Sequence, residues 1–398
     1  MTESAQAFLP GAEIARVLTA KGAVQDPAWH RAVLAVDRLA FIPDTVWVRR
    51  AGHRELFEPY PRTDPDVARW VNEDYALITQ VDDGSPTGPD GSGVVPSSSI
   101  SQPSLVVAML QAMDARDGDT VLEIGTGTGY STALLCERLG DENVTSVEID
   151  PGVAERARER LHGFGYKPRL VVGDGAHPPE GPYDRVIATV AARSVPAAWI
   201  TRTRPGGTVV SPWGPGFTSA GLLRLEVGEG TAQGRMIADA AFMWLRGQRR
   251  SADPWHTFVD EHDPAAVAGH TDLNPRVVAD RDPGWGVVLG WRVPGLAYAS
   301  FEADPDNHPA AGEATVYVYD RAGSWALGEY VPAGPPYETL RAGPRDLWAE
   351  IAAAREVWRA AGSPGRDRLG LTVTAGGGHR LWVDTPADPV DPGPLGGV

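Results

Sequence analysis

Three glycines, Gly125, Gly127 and Gly129, alternate with Thr126 and Thr128 between the β-branched run Thr120-Val121-Leu122-Glu123-Ile124 and a helical stretch that starts at Tyr130. Glycine has no Cβ and tolerates dihedral angles closed to other residues, so a loop of this kind lets backbone approach a ligand closely at the carboxyl end of a strand. Strand, glycine loop and helix in that order also call for a parallel partner strand reached by a crossover. Matching short runs follow at Val144-Thr145-Ser146-Val147-Glu148, Leu170-Val171-Val172, Arg185-Val186-Ile187-Ala188 and Thr208-Val209-Val210. Helices are expected between and before them, near residues 103–115, 130–139, 151–163 and 195–203. The pattern is that of an α/β, Rossmann-like doubly wound domain.

Upstream, apolar residues recur at helical spacing (Ile14, Val17, Leu18, then Ala32, Val33, Val36), broken near Asp26-Pro27 and ended by Ile42-Pro43, which predicts two short helices. From Asp82 to Ser101 the chain is almost all Gly, Ser, Pro and Asp around an island at Val94-Val95, the composition of a mobile loop. Residues 220–228 and 235–245 read as two further strands that close the sheet antiparallel. After Arg249-Arg250 the character changes to Trp-rich and Gly/Pro-rich segments, a strand-like run Ala314-Thr315-Val316-Tyr317-Val318-Tyr319, an amphipathic stretch near 345–361 and two strands near 369–373 and 379–383. The expected division is therefore residues 1–250, with a helical segment over 1–80 and the α/β core over about 100–250, followed by a smaller α+β accessory domain over 251–398. Trp285, Trp291, Tyr317, Tyr319 and Trp325 suit either a peptide-binding face or a core, the commoner use of such runs.

Composition removes several alternatives. No run approaches 18 consecutive apolar residues, and Met1-Thr2-Glu3-Ser4 has no basic region before an apolar one, so neither a membrane span nor a secretory signal is expected and cytoplasm is the default. Acids outnumber Lys and Arg by 52 to 36, giving a net charge of −16 that disfavours a nucleic-acid partner, because such binding draws on basic side chains neutralising phosphates. The single cysteine, Cys136, precludes an internal disulfide and sits in an expected helix, where a buried inert thiol is the ordinary reading. Nine histidines show no helical zinc-ligand pair, so no metal site is expected.

The glycine spacing is Gly-x-Gly-x-Gly with Glu123 two residues ahead, whereas loops that bind a diphosphate usually carry Gly-x-Gly-x-x-Gly. Glu148, 19 residues beyond Gly129, ends the next strand before Ile149-Asp150 and suits acceptance from ribose hydroxyls. Gly173-Asp174-Gly175 closes the third strand, where an acid can accept from an adenine amino group. Singly, Glu148 or Asp150 also reads as a helix N-cap or first-turn acid and Asp174 as a turn residue. Together with the loop they point to a nucleoside, and Glu123 and Glu148 would repel phosphates while favouring a sulfonium cation. S-adenosyl-L-methionine, leaving as S-adenosyl-L-homocysteine, is the expected cofactor, held by Glu123, Gly125, Thr126, Gly127, Gly129, Glu148, Ile149, Asp174 and Gly175.

Four stretches carry a family resemblance: Ala32 to Pro43, ending Phe41-Ile42-Pro43; Ser99-Ile100-Ser101-Gln102-Pro103; Val121 to Tyr130; and Pro205-Gly206-Gly207. Over roughly residues 10–250 the chain resembles the protein L-isoaspartyl (D-aspartyl) O-methyltransferase family. The resemblance implies that Ser101, with Ser99, is the catalytic and substrate-binding pair that orients an acceptor carboxylate, and that Gly125, Gly127 and Glu148 hold the cofactor. It implies methyl transfer to an aspartyl or isoaspartyl carboxylate in a peptide or protein, the ester then collapsing to a succinimide (aspartimide) and isoaspartate. An ionised carboxylate is already nucleophilic near neutral pH, in keeping with the absence of a visible His-Asp or Cys-His base. Outside the family context the Ser-Ile-Ser-Gln-Pro run reads as a helix N-cap, and Arg193, in Thr189-Val-Ala-Ala-Arg193, either as a carboxylate clamp or as a surface residue. The segment Asp82–Ser98 is longer than its compact family counterpart, and the extension resembles longer members found beside genes for ribosomally made peptides. That implies tailoring of a cyclised peptide in preference to repair of damaged proteins; a small-molecule acceptor and a non-catalytic cofactor-binding scaffold are the further alternatives.

Overall fold

The computed structural model describes residues 9–49, 56–88, 90–218, 221–250, 253–303 and 312–393. The first eight residues of the expected N-terminal segment, and the pair 251–252 at the expected domain boundary, lie outside this set.

The two N-terminal helices form as expected: α1 (Ala12–Ala20) and α2 (Pro27–Ala35). Asp26 caps α2 by accepting from the Ala28 N–H at 2.7 Å, with Pro27 already at the helical φ in the first position. The chain then builds something its composition concealed. Strands β1 (Thr45–Arg49) and β2 (Phe57–Pro61), helix α3 (Pro65–Val71), and strands β3 (Leu77–Val81) and β4 (Pro96–Ile100) make a four-stranded antiparallel sheet ordered β2-β1-β3-β4. β4 falls inside the stretch expected to be loop. The cause is Asp82, whose carboxylate accepts from the backbone N–H groups of Thr87, Val94 and Val95, folding the Gly/Ser/Pro segment back so that 96–100 meets β3.

The α/β core runs through α4 (Pro103–Ala112), β5 (Val121–Ile124), α5 (Tyr130–Leu139), β6 (Val144–Glu148), α6 (Pro151–Gly163), β7 (Arg169–Val172), β8 (Tyr183–Ala188), α7 (Ala197–Thr201), β9 (Thr203–Trp213), β10 (Gly221–Val227) and β11 (Thr231–Asp239). Parallel pairing gives the order β9-β8-β5-β6-β7, with chain direction across the sheet reversing between β5 and β8. The crevice at such a reversal is where open α/β sheets take their ligands. Cys136 is buried within α5. Two boundaries differ from expectation. α7 is shorter because β9 already begins at Thr203, and β11 ends at Asp239 because the chain beyond it leaves the sheet to bond the loop after β8, Ala191 N–H to Met243 O at 2.7 Å and Leu245 N–H to Ala191 O at 2.8 Å.

The remaining elements are β12 (Val267–Thr271), α8 (Pro283–Arg292), β13 (Ala297–Glu302), β14 (Ala314–Tyr319), β15 (Trp325–Tyr330), β16 (Tyr337–Ala342), α9 (Leu347–Ala360), β17 (Leu369–Thr374) and β18 (His379–Val383). β12 to β16 form a separate antiparallel sheet ordered β12-β16-β15-β14-β13. β17 and β18 do not join it. β17 pairs with the free edge of β11 from Thr231↔Thr374 to Arg235↔Gly370, so the large sheet has nine strands, β18-β17-β11-β10-β9-β8-β5-β6-β7. An unpaired edge leaves a row of N–H and C=O groups unsatisfied, and the end of the chain supplies their partners. The extension is therefore not closed on itself. Its tryptophans make the same point: Trp285 and Trp291 are almost wholly buried in one cluster with Leu122, Val186, Trp213 and Leu369, the Trp213 and Trp291 rings lying 6.5 Å apart. Tyr317 and Trp325 are buried under the five-stranded sheet, so of the five aromatics only Tyr319 is half-exposed, stacked on Phe258 at 5.3 Å.

A chain ended after Arg250 would lose the buried Leu369, Leu371, Val373 and Leu381. Each is worth about 1.5–3 kcal/mol against a typical total stability of about 5–15 kcal/mol. The truncated chain is expected to aggregate on expression; a soluble, cooperatively melting fragment by calorimetry would mean that 1–250 folds alone.

Candidate active site

The crevice above β5 encloses about 990 Å³ of empty space, part of it open to solvent, between the glycine loop, β4, and the segment 243–249. The loop is held from below. Glu123 is fully buried, and its carboxylate accepts from the hydroxyls of Ser131, Thr132 and Ser146 at 2.5–2.6 Å, tying β5 to the first turn of α5 and to β6. Burial pushes its carboxyl above the usual range, against the pull of the three hydroxyls. Glu123 does not line the crevice, contrary to its expected role at the cofactor. Gly129 does not line it either: it takes φ +95° as the N-cap of α5, and a Cβ there would press on Leu161 at 3.3 Å.

Gly125, Thr126, Gly127, Glu148, Ile149, Asp174 and Gly175 all line the crevice as expected. Gly125, at φ +97°, has no room for a side chain, since a Cβ would lie 2.7 Å from Thr189 Oγ1. The nearly buried Glu148 accepts from the Gly127 N–H at 2.9 Å and the Asp150 N–H at 3.1 Å, and burial raises its pKa. Each carboxylate oxygen thus spends one lone pair on backbone and keeps acceptor capacity for hydroxyl donors. Asp174 closes a turn onto the Ala176 N–H at 2.9 Å and lines the crevice. Asp150 is the N-cap of α6, accepting from Val153 at 3.0 Å. A cradle with close backbone, two carboxylates and the apolar Ile149 fits a cationic nucleoside such as S-adenosyl-L-methionine.

Across from the glycine loop lie Ser97, Ser98, Ser99 and Ser101. The N-cap of α4 is Gln102 and makes no side-chain capping bond, so Ser99 and Ser101 are not spent on the helix. The contact between strand and loop is close: a Cβ on Gly127 would lie 3.4 Å from the Ser99 carbonyl oxygen. Two residues that sequence reasoning did not single out set this strand. Buried Arg38 donates to the carbonyls of Val71, Tyr75 and Ser101, the last at 3.2 Å. Asp74 accepts from Gln102 Nε2 at 3.0 Å and the Ser104 N–H at 2.8 Å. The available signal was a charged residue inside the apolar run Ala32–Pro43.

Segment 243–249 completes the wall with Met243, Trp244, Leu245, Arg246 and Arg249. Arg249 pairs with Asp83 at 2.5 Å and Arg246 with the same carboxylate at 3.3 Å, joining this wall to the end of β3. Arg193 lies outside the crevice, on Trp244, with its guanidinium carbon 4.9 Å from the ring centre. Among the described residues no group of His, Cys, Asp and Glu is arranged to hold a metal, and no helix is long and apolar enough to cross a membrane.

The family model for protein-L-isoaspartate(D-aspartate) O-methyltransferase matches residues 69–247. The curated protein-L-isoaspartate O-methyltransferase of Methanoculleus marisnigri is 41% identical over 152 residues, covering 37% of this chain and 68% of that protein. The chain belongs to this family. A second such enzyme, from Archaeoglobus fulgidus, is 35% identical over 184 residues, covering 45% of this chain and 80% of the relative. The one from Ignicoccus hospitalis is 46% identical over 117 residues, and the chain spans 56% of its length. A solved structure named as a protein-L-isoaspartate O-methyltransferase covers 94% of this chain and 100% of its own at a TM-score of 0.53 and 20% identity, a likeness of fold. Members of the family are methyltransferases that use S-adenosyl-L-methionine. The family model ends at residue 247, whereas the likeness of fold to the solved structure takes in most of the extension as well.

Glu148→Gln is expected to weaken S-adenosyl-L-homocysteine binding about 10- to 100-fold by calorimetry, the scale of a hydrogen bond to a charged group. Glu123→Gln should leave that affinity near the parent's and change stability instead. A carboxyl whose folded pKa is raised stabilises below its unfolded pKa and loses that contribution as pH rises through the folded value. The melting temperature of Glu123→Gln relative to the parent should therefore climb as pH rises above the usual carboxylate range; a pH-independent difference would contradict it.

Proposed function

We propose that the protein transfers a methyl group from S-adenosyl-L-methionine to the carboxylate of an aspartyl or isoaspartyl residue in a peptide, and that its setting is the tailoring of a dedicated, cyclised peptide. The observation that carries the carboxyl acceptor is that Ser99 and Ser101, free of capping duty, line the same crevice as the glycine loop, with the Ser99 backbone directly against Gly127.

The bound cofactor supplies an electrophilic methyl group. Gly125, Gly127 and Glu148 hold it at the reversal of the sheet, and Ser101 Oγ, on a strand pinned by Arg38, donates to one acceptor oxygen while the other faces the methyl carbon. The new C–O bond forms as the C–S bond breaks with its electron pair on sulfur. No proton moves, so the chain needs no general base, only alignment and exclusion of water. The ester is then open to attack by the following backbone amide nitrogen, which expels methanol and closes a succinimide without help from the protein.

Support for tailoring over general repair comes from the extension. It is built into the core of the large sheet through β17, Trp285 and Trp291, and it follows the crevice wall at 243–249 directly in sequence. A repair enzyme must accept damaged sites in many sequence contexts, for which a shallow open cleft suffices.

Ser101→Ala is expected to lower kcat/KM on the accepted peptide about 10- to 100-fold, the worth of one hydrogen bond to a carboxylate. Peptide products are read by mass: gain of one CH2 marks the ester, loss of one water relative to the acid marks the aspartimide. Equal activity on unrelated isoaspartyl peptides would favour repair. Cofactor binding without methyl transfer to isoaspartyl, aspartyl or cyclised peptide would favour a scaffold.

A further inference from the structure

Next to Trp244 and outside the crevice lining, three guanidinium groups gather where the α/β core meets the five-stranded sheet. The Arg193 guanidinium is held as a flat plate between the Trp244 ring and the backbone of Gly216, where a Cβ would lie 2.9 Å from its Nε. It makes no hydrogen bond or ion pair among the described residues, and its Nε is buried without a partner. Arg250 donates to the Leu296 carbonyl at 2.9 Å, forms no ion pair among the described residues, and lines a second, smaller cavity with Phe258, Tyr319 and Arg321. Arg321 is paired with Asp253 at 3.4 Å. Asp320, in the same wall, is committed to Arg345 at 2.8 Å.

The arrangement runs against the rest of the chain. In a protein of net charge −16, two half-buried cations stand together without an ion pair of their own among the described residues, the nearby Asp253 and Asp320 being paired with Arg321 and Arg345. Burial, together with Arg250 and Arg321, lowers the Arg193 pKa to about 10, the mark of a cation short of anionic neighbours. A planar guanidinium fixed on an aromatic face keeps its N–H edge available and loses little freedom on accepting a carboxylate. Trp244 ties this cluster to the crevice, since it lines the crevice and also carries the Arg193 guanidinium on its ring.

We propose that Arg193 and Arg250 form a subsite for a carboxylate of the substrate peptide, an acidic side chain close in sequence to the residue being methylated. This rests on the peptide-methylating role proposed above, and it assigns the peptide a direction, from the acceptor in the crevice over Trp244 toward β13 and β14. Charge complementarity chooses the occupant: an acidic chain repels anionic peptides nearly everywhere else, so local cations act as a selective dock rather than as general attraction.

Two fluorescein-labelled peptides that differ only in Glu against Gln beside the target residue provide the test, with binding read by anisotropy on the full chain holding S-adenosyl-L-homocysteine. The Glu peptide is expected to bind on the order of tenfold more tightly, with the preference shrinking as salt is raised. Arg193→Gln and Arg250→Gln should each remove most of that preference, and Arg250→Gln carries the comparison if the first variant folds poorly. No preference in the parent, or one that survives both substitutions, overturns the subsite and leaves Arg193 as a buttress for Trp244. Methyl transfer is then measured on the same peptides. Preferential binding without any transfer would sink the catalytic reading and spare the subsite, whereas transfer without preference would do the reverse.

Discussion

Glu123 is the point on which the site turns. Its carboxylate, sealed from water, collects hydroxyls from α5 and β6 while its backbone lies in β5, so one side chain locks the strand before the glycine loop to the helix after it and to the neighbouring strand. A buried carboxyl left unpaired would be strongly destabilising, and three short hydrogen bonds are what make the position tenable. With both ends of the loop fixed, Gly127 can present its N–H to Glu148 and its bare α-carbon to β4. The acid that reads as a ligand for the cofactor is instead the foundation of the glycine loop.

Opposite that loop, the crevice wall is supplied by a different sheet. β4 belongs to the N-terminal antiparallel layer, yet it is placed by residues far from it in sequence: Asp82 folds the preceding segment, Arg38 takes the Ser101 carbonyl, and Asp74 takes Gln102 and the start of α4. Asp82 and Arg38 act here on backbone groups, whereas Asp74 is also paired with Lys21 at 2.8 Å. Contacts to backbone set position without demanding that two long side chains both be ordered. Arg246 and Arg249, both held by Asp83, then join the same layer to the far wall, so the crevice is closed by three parts of the chain that share no strand.

The extension alters the picture of a cofactor fold with an appendage. β17 completes the edge of β11, and a ring of tryptophans from α8 and α9 packs beneath the same sheet that holds the cofactor loop. The seam between the core and the five-stranded sheet adjoins the crevice at Trp244, which lines the crevice and bears the Arg193 guanidinium on its ring.

Local sequence by itself determined the parallel core and the cofactor loop. The alternation of β-branched runs with helical stretches and the spacing of Gly125, Gly127 and Glu148 are short-range signals, carried by backbone preference and by the geometry of one strand–loop–helix unit. The Ser99–Pro103 run was equally legible as a string of residues. Only the tertiary structure decided which groups face the crevice: Glu123 turned inward because hydroxyls from α5 and β6 meet it there, and Arg193 lies on Trp244, outside the crevice lining. The Gly/Ser/Pro stretch became β4 because Asp82 reaches across it, and the last strands left their own module because β11 had an edge to fill. Each of those outcomes depends on a partner distant in sequence, and composition or periodicity over a short window has no access to such a partner.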